Sequence, residues 1–75
     1  MNDARRKEVE KAVALIEEAM RILEAMQIEE DSELDKMSEQ ERDGDEGDKV
    51  SDTVEALGQA IAYCDDAISA CAEAT

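Results

Sequence analysis

Few side chains in this chain have types and spacings that could support chemistry. The chain has 22 Asp and Glu residues and two Cys, but no His, Trp, Phe or Pro. Without His, neither an acid–base triad, nor a Cys–His nucleophile, nor a Glu-x-x-His di-metal site can be assembled. We therefore expect no enzymatic activity, no catalytic residues and no cofactor.

The acidic stretch DGDEGD, residues 43–48, invites comparison with a calcium-binding loop. An EF-hand needs oxygen ligands at loop positions 1, 3 and 5, Gly at 6 and a bidentate Glu at 12. Counting from Asp43 puts Asp48 where Gly is required and Val54 where Glu is required. Counting from Asp31 fails at the same two positions. We expect a solvated acidic turn and no specific metal site.

The two thiols, Cys64 and Cys71, lie seven residues apart on one predicted helix face. Two helical turns separate their Cα atoms by about 10–11 Å, and a disulfide needs Cα atoms within about 7 Å. They cannot bridge each other. The interpretation we favour is that both are small hydrophobic side chains in a helix–helix contact, and the alternative is an interchain disulfide or a reactive thiol.

Two long helices are predicted to carry these residues. In the last third of the chain, apolar side chains follow an unbroken 4-3 spacing, which is typical of a helix packed along another helix: Val50, Val54, Leu57, Ile61, Cys64, Ile68 and Cys71. The first third repeats the spacing at Val9, Val13, Ile16, Met20 and Leu23. We predict an all-α, two-helix antiparallel hairpin in a single domain, with helices over about 3–36 and 49–73 joined by an acidic turn over about 38–48.

Local signals suggest where these helices begin and end. Asn2 or Asp3 can cap the first helix, and Asp48 or Ser51 the second. Two glycines, Gly44 and Gly47, would supply the left-handed backbone that reverses the chain.

The first helix has more apolar surface than one partner helix can cover. We call the 4-3 line of apolar residues on each helix the seam. A second stripe, comprising Ala12, Leu15, Ala19, Ile22 and Met26, runs beside the seam of the first helix, and the two stripes together span about half of the circumference. A second chain could cover this stripe, giving a homodimeric four-helix bundle, or a different protein could dock there; surplus surface apolarity is the remaining alternative. The predicted oligomer or partner interface consists of Leu15, Ile22, Met26, Leu34 and Met37.

The first helix also carries polar residues in its seam, at Gln27 and Glu30, before Leu34 and Met37 resume the apolar pattern. Two interpretations are open. These residues form a polar layer that sets the register of the hairpin, or they mark a point where the seam opens.

The net charge of −14 is concentrated in the middle of the chain. Residues 29–48 contain eleven acids and two bases. Such a charge disfavours direct binding to nucleic acid or to an anionic membrane, and no apolar run approaches the roughly 20 residues of a transmembrane helix. The first ten residues also lack the apolar core of a signal peptide. We expect a cytoplasmic protein.

This acidic segment has one functional interpretation beyond solubility. A rod displaying carboxylates can imitate a nucleic-acid backbone and occupy the basic surface of a protein partner. The simpler interpretation is that the charge keeps an apolar, oligomer-forming rod soluble. The candidate partner-binding residues are Glu29, Glu30, Asp31, Glu33, Asp35, Glu39, Glu41, Asp43, Asp45 and Glu46.

The stretch from Leu34 to Ala74 resembles a pattern in small acidic helical-hairpin proteins of phages and prophages with no assigned function. In that pattern a Met-(Pro/Ser)-Glu turn and a Gly-containing polar stretch lead into an Ala-rich helix of the form x-A-I-x-x-C/L-D/E-D/E-A-I. The matching residues are Met37, Ser38, Glu39, Gly44, Gly47, Ala60, Ile61, Cys64, Asp65, Asp66, Ala67 and Ile68. The chain departs from the pattern at Ser38, where Pro is commoner.

The resemblance implies a phage accessory protein, which would act in the host cell cytoplasm, and supplies no activity. Small acidic phage proteins are often similar in character to inhibitors of host defence nucleases. We therefore expect a non-enzymatic protein that binds and inhibits a host protein through a nucleic-acid-mimicking acidic surface. The alternative function is a structural or assembly protein that acts only by helical oligomerisation.

Overall fold

The chain forms an elongated helical hairpin. The computed structural model describes all 75 residues and contains three helices: α1 over Asp3–Lys36, α2 over Glu39–Arg42 and α3 over Asp45–Ala74. The two long helices pack against each other in antiparallel directions, and no strand is present. The predicted all-α class is confirmed.

The seam between the long helices follows the 4-3 spacing of the sequence. Every seam position of α1 from Val9 to Leu34 is half-buried, as is Met37 directly after the helix. On α3 the same holds for the seven apolar positions from Val50 to Cys71. The spacing extends through Gln27 and Glu30, so the two helices stay in contact along their length.

The hairpin is only one layer of helices thick. Its Cα atoms extend over 58 × 15 × 11 Å, and the radius of gyration is 17.1 Å, against about 11 Å for a compact chain of this length. Gly47 is the only buried residue, and no hydrophobic side chain is buried. A single pair of helices cannot enclose side chains on all sides, so the hairpin has a seam and no core.

Side-chain and backbone hydrogen bonds fix both ends of α1. The Asn2 Oδ1 accepts a hydrogen bond from the backbone N–H of Arg5 at 2.8 Å, which satisfies one of the free donors of the first turn. At the other end, the backbone N–H of Met37 donates to the carbonyl of Leu34 at 3.2 Å, and Met37 has extended backbone angles.

The bend contains more helix than the sequence pattern indicates. Ser38 caps α2, because its Oγ accepts from the backbone N–H of Glu41 at 3.2 Å and donates to the Glu41 carboxylate at 3.0 Å. The guanidinium of Arg42 donates to the carbonyl of Leu34 at 3.0 Å, which ties α2 to the end of α1. The acidic connection is therefore folded.

The second long helix begins at Asp45, several residues before the predicted start. Its N-cap is Gly44, which provides no side-chain hydrogen bond. The expectation that Asp48 or Ser51 caps this helix is wrong, since both residues lie inside α3.

The predicted role of the two glycines is also wrong, because no residue has a positive φ. Gly44 has φ −95° and ψ −170°, which most residues can adopt. Gly47 lies in the first turns of α3, pressed against the backbone of α2. A Cβ at this position would lie 2.7 Å from the Cα of Arg42 and closer still to its carbonyl. Gly47 is needed for close approach of the two helices.

Candidate interaction surfaces

The hairpin has two broad faces, one on each side of the seam, and they differ in chemistry. A shallow groove on one face is lined by Glu17, Met20, Arg21, Glu24, Asp65 and Ile68. This groove brings carboxylates of both long helices to the same side of the molecule. We call this side the acidic face.

The opposite side carries the apolar residues that are left over from the seam. Leu15 precedes Glu17 by two residues, which is about 200° around the helix, so it lies across the seam from the acidic face. The same spacing relates Ala67 to Asp65 on α3. We call this second side the apolar face; it comprises Ala12, Leu15, Ala19, Ile22 and Met26 of α1 with Ala56, Ala60, Tyr63, Ala67 and Ala70 of α3.

The large side chains of the apolar face are open to solvent in the single chain. Leu15 is 60% exposed, Ile22 57% and Met26 42%. Single exposed hydrophobic residues are common on protein surfaces, whereas large contiguous apolar patches are typical of interaction sites. The sequence-predicted interface residues Leu15, Ile22 and Met26 therefore lie together on one surface.

The other two predicted interface residues lie elsewhere. Leu34 and Met37 are half-buried in the seam next to the bend, and the carbonyl of Leu34 accepts the Arg42 hydrogen bond. They support the bend and are not part of the apolar face.

The structure also exposes a large apolar residue within α1 that the sequence pattern does not single out. Ile28 is 70% exposed and lies against Glu29, Ser32, Glu33 and Lys36 in a shallow groove. It belongs to neither periodic stripe of α1, so hydrophobic periodicity carries no signal for it.

The candidate acidic residues occupy three neighbouring elements. The first five lie on the last turns of α1, Glu39 and Glu41 lie on α2, Asp43 is the C-cap of α2, and Asp45 with Glu46 opens α3. All of them are exposed except Glu30, which is half-buried in the seam. The folded bend therefore gathers these carboxylates at one end of the rod.

Most of these carboxylates have no partner within the chain. In this segment the one ion pair joins Lys36 to Glu33 at 3.5 Å, and both side chains are largely exposed. The only other ion pair of the chain joins Arg6 to Asp3, at the opposite end of the rod. The negative charge of the bend is consequently displayed to solvent with little internal compensation.

The two thiols and the possible metal ligands form no site in the structure. Cys64 and Cys71 are free thiols, half-buried in the seam. No group of three or more His, Cys, Asp or Glu side chains is arranged so as to hold a metal ion. Neither long helix combines the length and the apolarity that crossing a membrane requires.

Comparisons with protein-family models, with curated proteins and with solved structures give no significant match to this chain.

Proposed function

We propose that this chain is a non-enzymatic, phage-type protein that binds and inhibits a host protein through the acidic end of its rod. The partner is a nucleic-acid-handling enzyme, such as a defence nuclease, with a basic surface. The observation that supports the proposal is the set of exposed, mostly unpaired carboxylates gathered on α2 and the adjoining ends of α1 and α3.

Electrostatics explains how such a surface would act. Carboxylates with no internal partner attract a basic groove over about a Debye length, which is about 8 Å at physiological ionic strength. Complementary charge raises the association rate and makes binding sensitive to salt. A protein that occupies the groove in this way excludes the nucleic-acid substrate.

We further propose that the hairpin acts as a homodimeric four-helix bundle. The single chain leaves its apolar face open and has no buried hydrophobic side chain. Chains of this size are marginal without reinforcement, and this composition leaves oligomerisation or an unusually well-packed helix pair. The open apolar face favours oligomerisation.

The second candidate function is structural: the chain would act only through helical association. The observation that favours it is the same open apolar face, which would serve assembly without any acidic target. In that case the charge of the bend provides solubility alone.

Charge reversal at the bend separates the two functions. The variant Asp31→Lys, Asp35→Lys, Asp43→Lys changes three exposed carboxylates. It leaves unchanged the seam residue Glu30 and the Glu41 carboxylate that Ser38 contacts. The matched control Glu55→Lys, Asp66→Lys, Glu73→Lys makes the same change in net charge at exposed positions of α3.

Wild type and both variants are used as bait in a bacterial lysate, with duplex DNA as competitor. The proposal predicts a partner that is captured by wild type and the control, is displaced by DNA and is lost with the bend variant. If the bend variant still captures the partner, the proposed nucleic-acid mimicry is refuted and helical association remains as the candidate function.

A further inference from the structure

The hairpin exposes more surface in total than a compact chain of the same mass, as expected of a protein that a second copy completes. One chain exposes 5596 Å², whereas a compact monomer of this mass exposes about 4,600 Å². The excess of about 1,000 Å² is comparable with the roughly 800 Å² that each partner buries in a stable interface.

We infer that two copies stack apolar face to apolar face, with α1 lying antiparallel on the partner's α1 and the two acidic bends at opposite ends of the dimer. This inference rests on the homodimer proposed above and adds its orientation. The consequence is a rod with two separate acidic ends, each able to engage a basic partner.

Long-range charge selects this orientation. Two hairpins related by a two-fold axis can stack face to face in two ways. An axis along the rod places α1 over the partner's α3 and sets both bends side by side, within about one to two Debye lengths. An axis perpendicular to the rod places the bends at opposite ends, separated by about the 58 Å length of one chain. Since residues 29–48 carry eleven acids and two bases, repulsion between bends disfavours the first arrangement.

Side-chain volumes are compatible with the antiparallel contact. Small and large residues alternate along the first four α1 positions of the apolar face, which are Ala12, Leu15, Ala19 and Ile22. In an antiparallel register, Ala12 meets the partner's Ile22 and Ala19 meets the partner's Leu15. At these four positions small residues face large ones, which is how well-packed helix interfaces fill space. Met26 lies beyond them, beside the partner's Glu8.

The same register places opposite charges beside each other at both ends of the contact. Arg5 lies seven residues before Ala12, and Glu29 lies seven residues after Ile22. Because the seam keeps its 4-3 spacing along α1, residues seven apart keep the same position relative to α3. Arg5 therefore meets the partner's Glu29, and two-fold symmetry forms this pair twice. Neither side chain has an ion-pair partner within its own chain.

Charge-reversal variants test the orientation. Arg5→Glu or Glu29→Arg alone should raise the dimer dissociation constant about tenfold, because two exposed ion pairs become two repulsions. The double variant Arg5→Glu, Glu29→Arg should return the constant close to the wild-type value. Sedimentation equilibrium measures all three.

The matched control uses Lys49, which lies seven residues before Ala56 and so continues the apolar face of α3 toward the bend. If α1 lay on the partner's α3, Lys49 would lie near the partner's Glu29. The double variant Lys49→Glu, Glu29→Arg should remain as weak as Glu29→Arg alone. Recovery in this control and not in the Arg5 variant would overturn the orientation, as would single variants that leave the constant unchanged. A wild-type protein that sediments as one chain would refute the dimer itself.

A distance between the two bends gives a second readout that does not depend on affinity. A spin label at Asp43→Cys, in a background with both native cysteines replaced by Ala, reports the separation of the bends by dipolar spectroscopy. The helical rise predicts about 70 Å for opposite ends, and interaxial spacings predict about 20 Å or less for adjacent bends. A short distance would contradict the inference.

Discussion

The side-chain amide of Gln27 on α1 donates a hydrogen bond to the backbone carbonyl of Val54 on α3 at 3.1 Å. It is the only hydrogen bond between the two long helices. Gly58 makes room for it, since a Cβ there would lie 3.0 Å from the Gln27 Nε2. A polar seam residue and a glycine one turn beyond its acceptor therefore act together to fix the register of the hairpin.

The first prediction is that Gln27 and Gly58 are energetically coupled. Gly58→Ala adds about 1 kcal/mol of helix propensity but displaces the Gln27 amide, whose hydrogen bond contributes about 1 kcal/mol. We expect little net change in the free energy of unfolding. In a Gln27→Ala background the conflict is absent, and the same substitution should stabilise by about 1 kcal/mol. Urea denaturation of the four proteins measures the coupling; equal effects of Gly58→Ala in both backgrounds would show that the two residues are independent.

The second prediction concerns the close approach at the bend. Gly47→Ala should destabilise the hairpin by about 2 kcal/mol or more, because the new methyl group would collide with the Arg42 backbone and α2 would have to move. The control is Gly44→Ser. A Cβ at Gly44 meets only ordinary contacts, the nearest at 3.4 Å, and the hydroxyl can cap α3, so stability should stay level or rise by about 0.5 kcal/mol.

Thermal unfolding followed by circular dichroism compares these two glycine variants. An unfolding temperature of Gly47→Ala equal to that of wild type would contradict the close approach of α2 and α3 at this position.

The main features of the fold could be predicted from the sequence because burial in a helical hairpin is periodic. The 4-3 positions of both helices are the half-buried ones, and the leftover stripe at Leu15, Ile22 and Met26 is exposed. The pattern could not decide whether Gln27 sets a register or marks an opening. That depends on a hydrogen bond across the seam, which the structure places at Val54.

The bend was predicted less well because its determinants are not periodic. A four-residue helix held by the Ser38 cap leaves no repeating apolar signal. Gly47 is required by contact with Arg42, a residue that only the folded backbone brings near. The glycine content of the bend suggests a left-handed turn, whereas the structure requires glycine at position 47 because two helices pack closely there.

The third prediction is that salt stabilises the hairpin. A net charge of −14 on a rod with only two ion pairs produces self-repulsion that counter-ions screen. Raising sodium chloride from about 0.01 M to about 0.5 M shortens the Debye length from about 30 Å to about 4 Å, and the unfolding temperature should rise. A fall in that temperature with added salt would mean that attractive pairs outweigh the repulsion.

The fourth prediction, that the hairpin is completed by a second copy through its apolar face, is the central claim. It is tested most directly by the mass of the protein in solution. Sedimentation equilibrium should give twice the mass of one chain for wild type. The variant Leu15→Asp, Ile22→Asp should give the mass of one chain, because it places four charges in the contact of the proposed dimer. Ile28→Asp, a change at an exposed apolar residue outside the apolar face, should leave the dimer intact. A wild-type mass of one chain, or a dimer that survives Leu15→Asp, Ile22→Asp, would contradict this account.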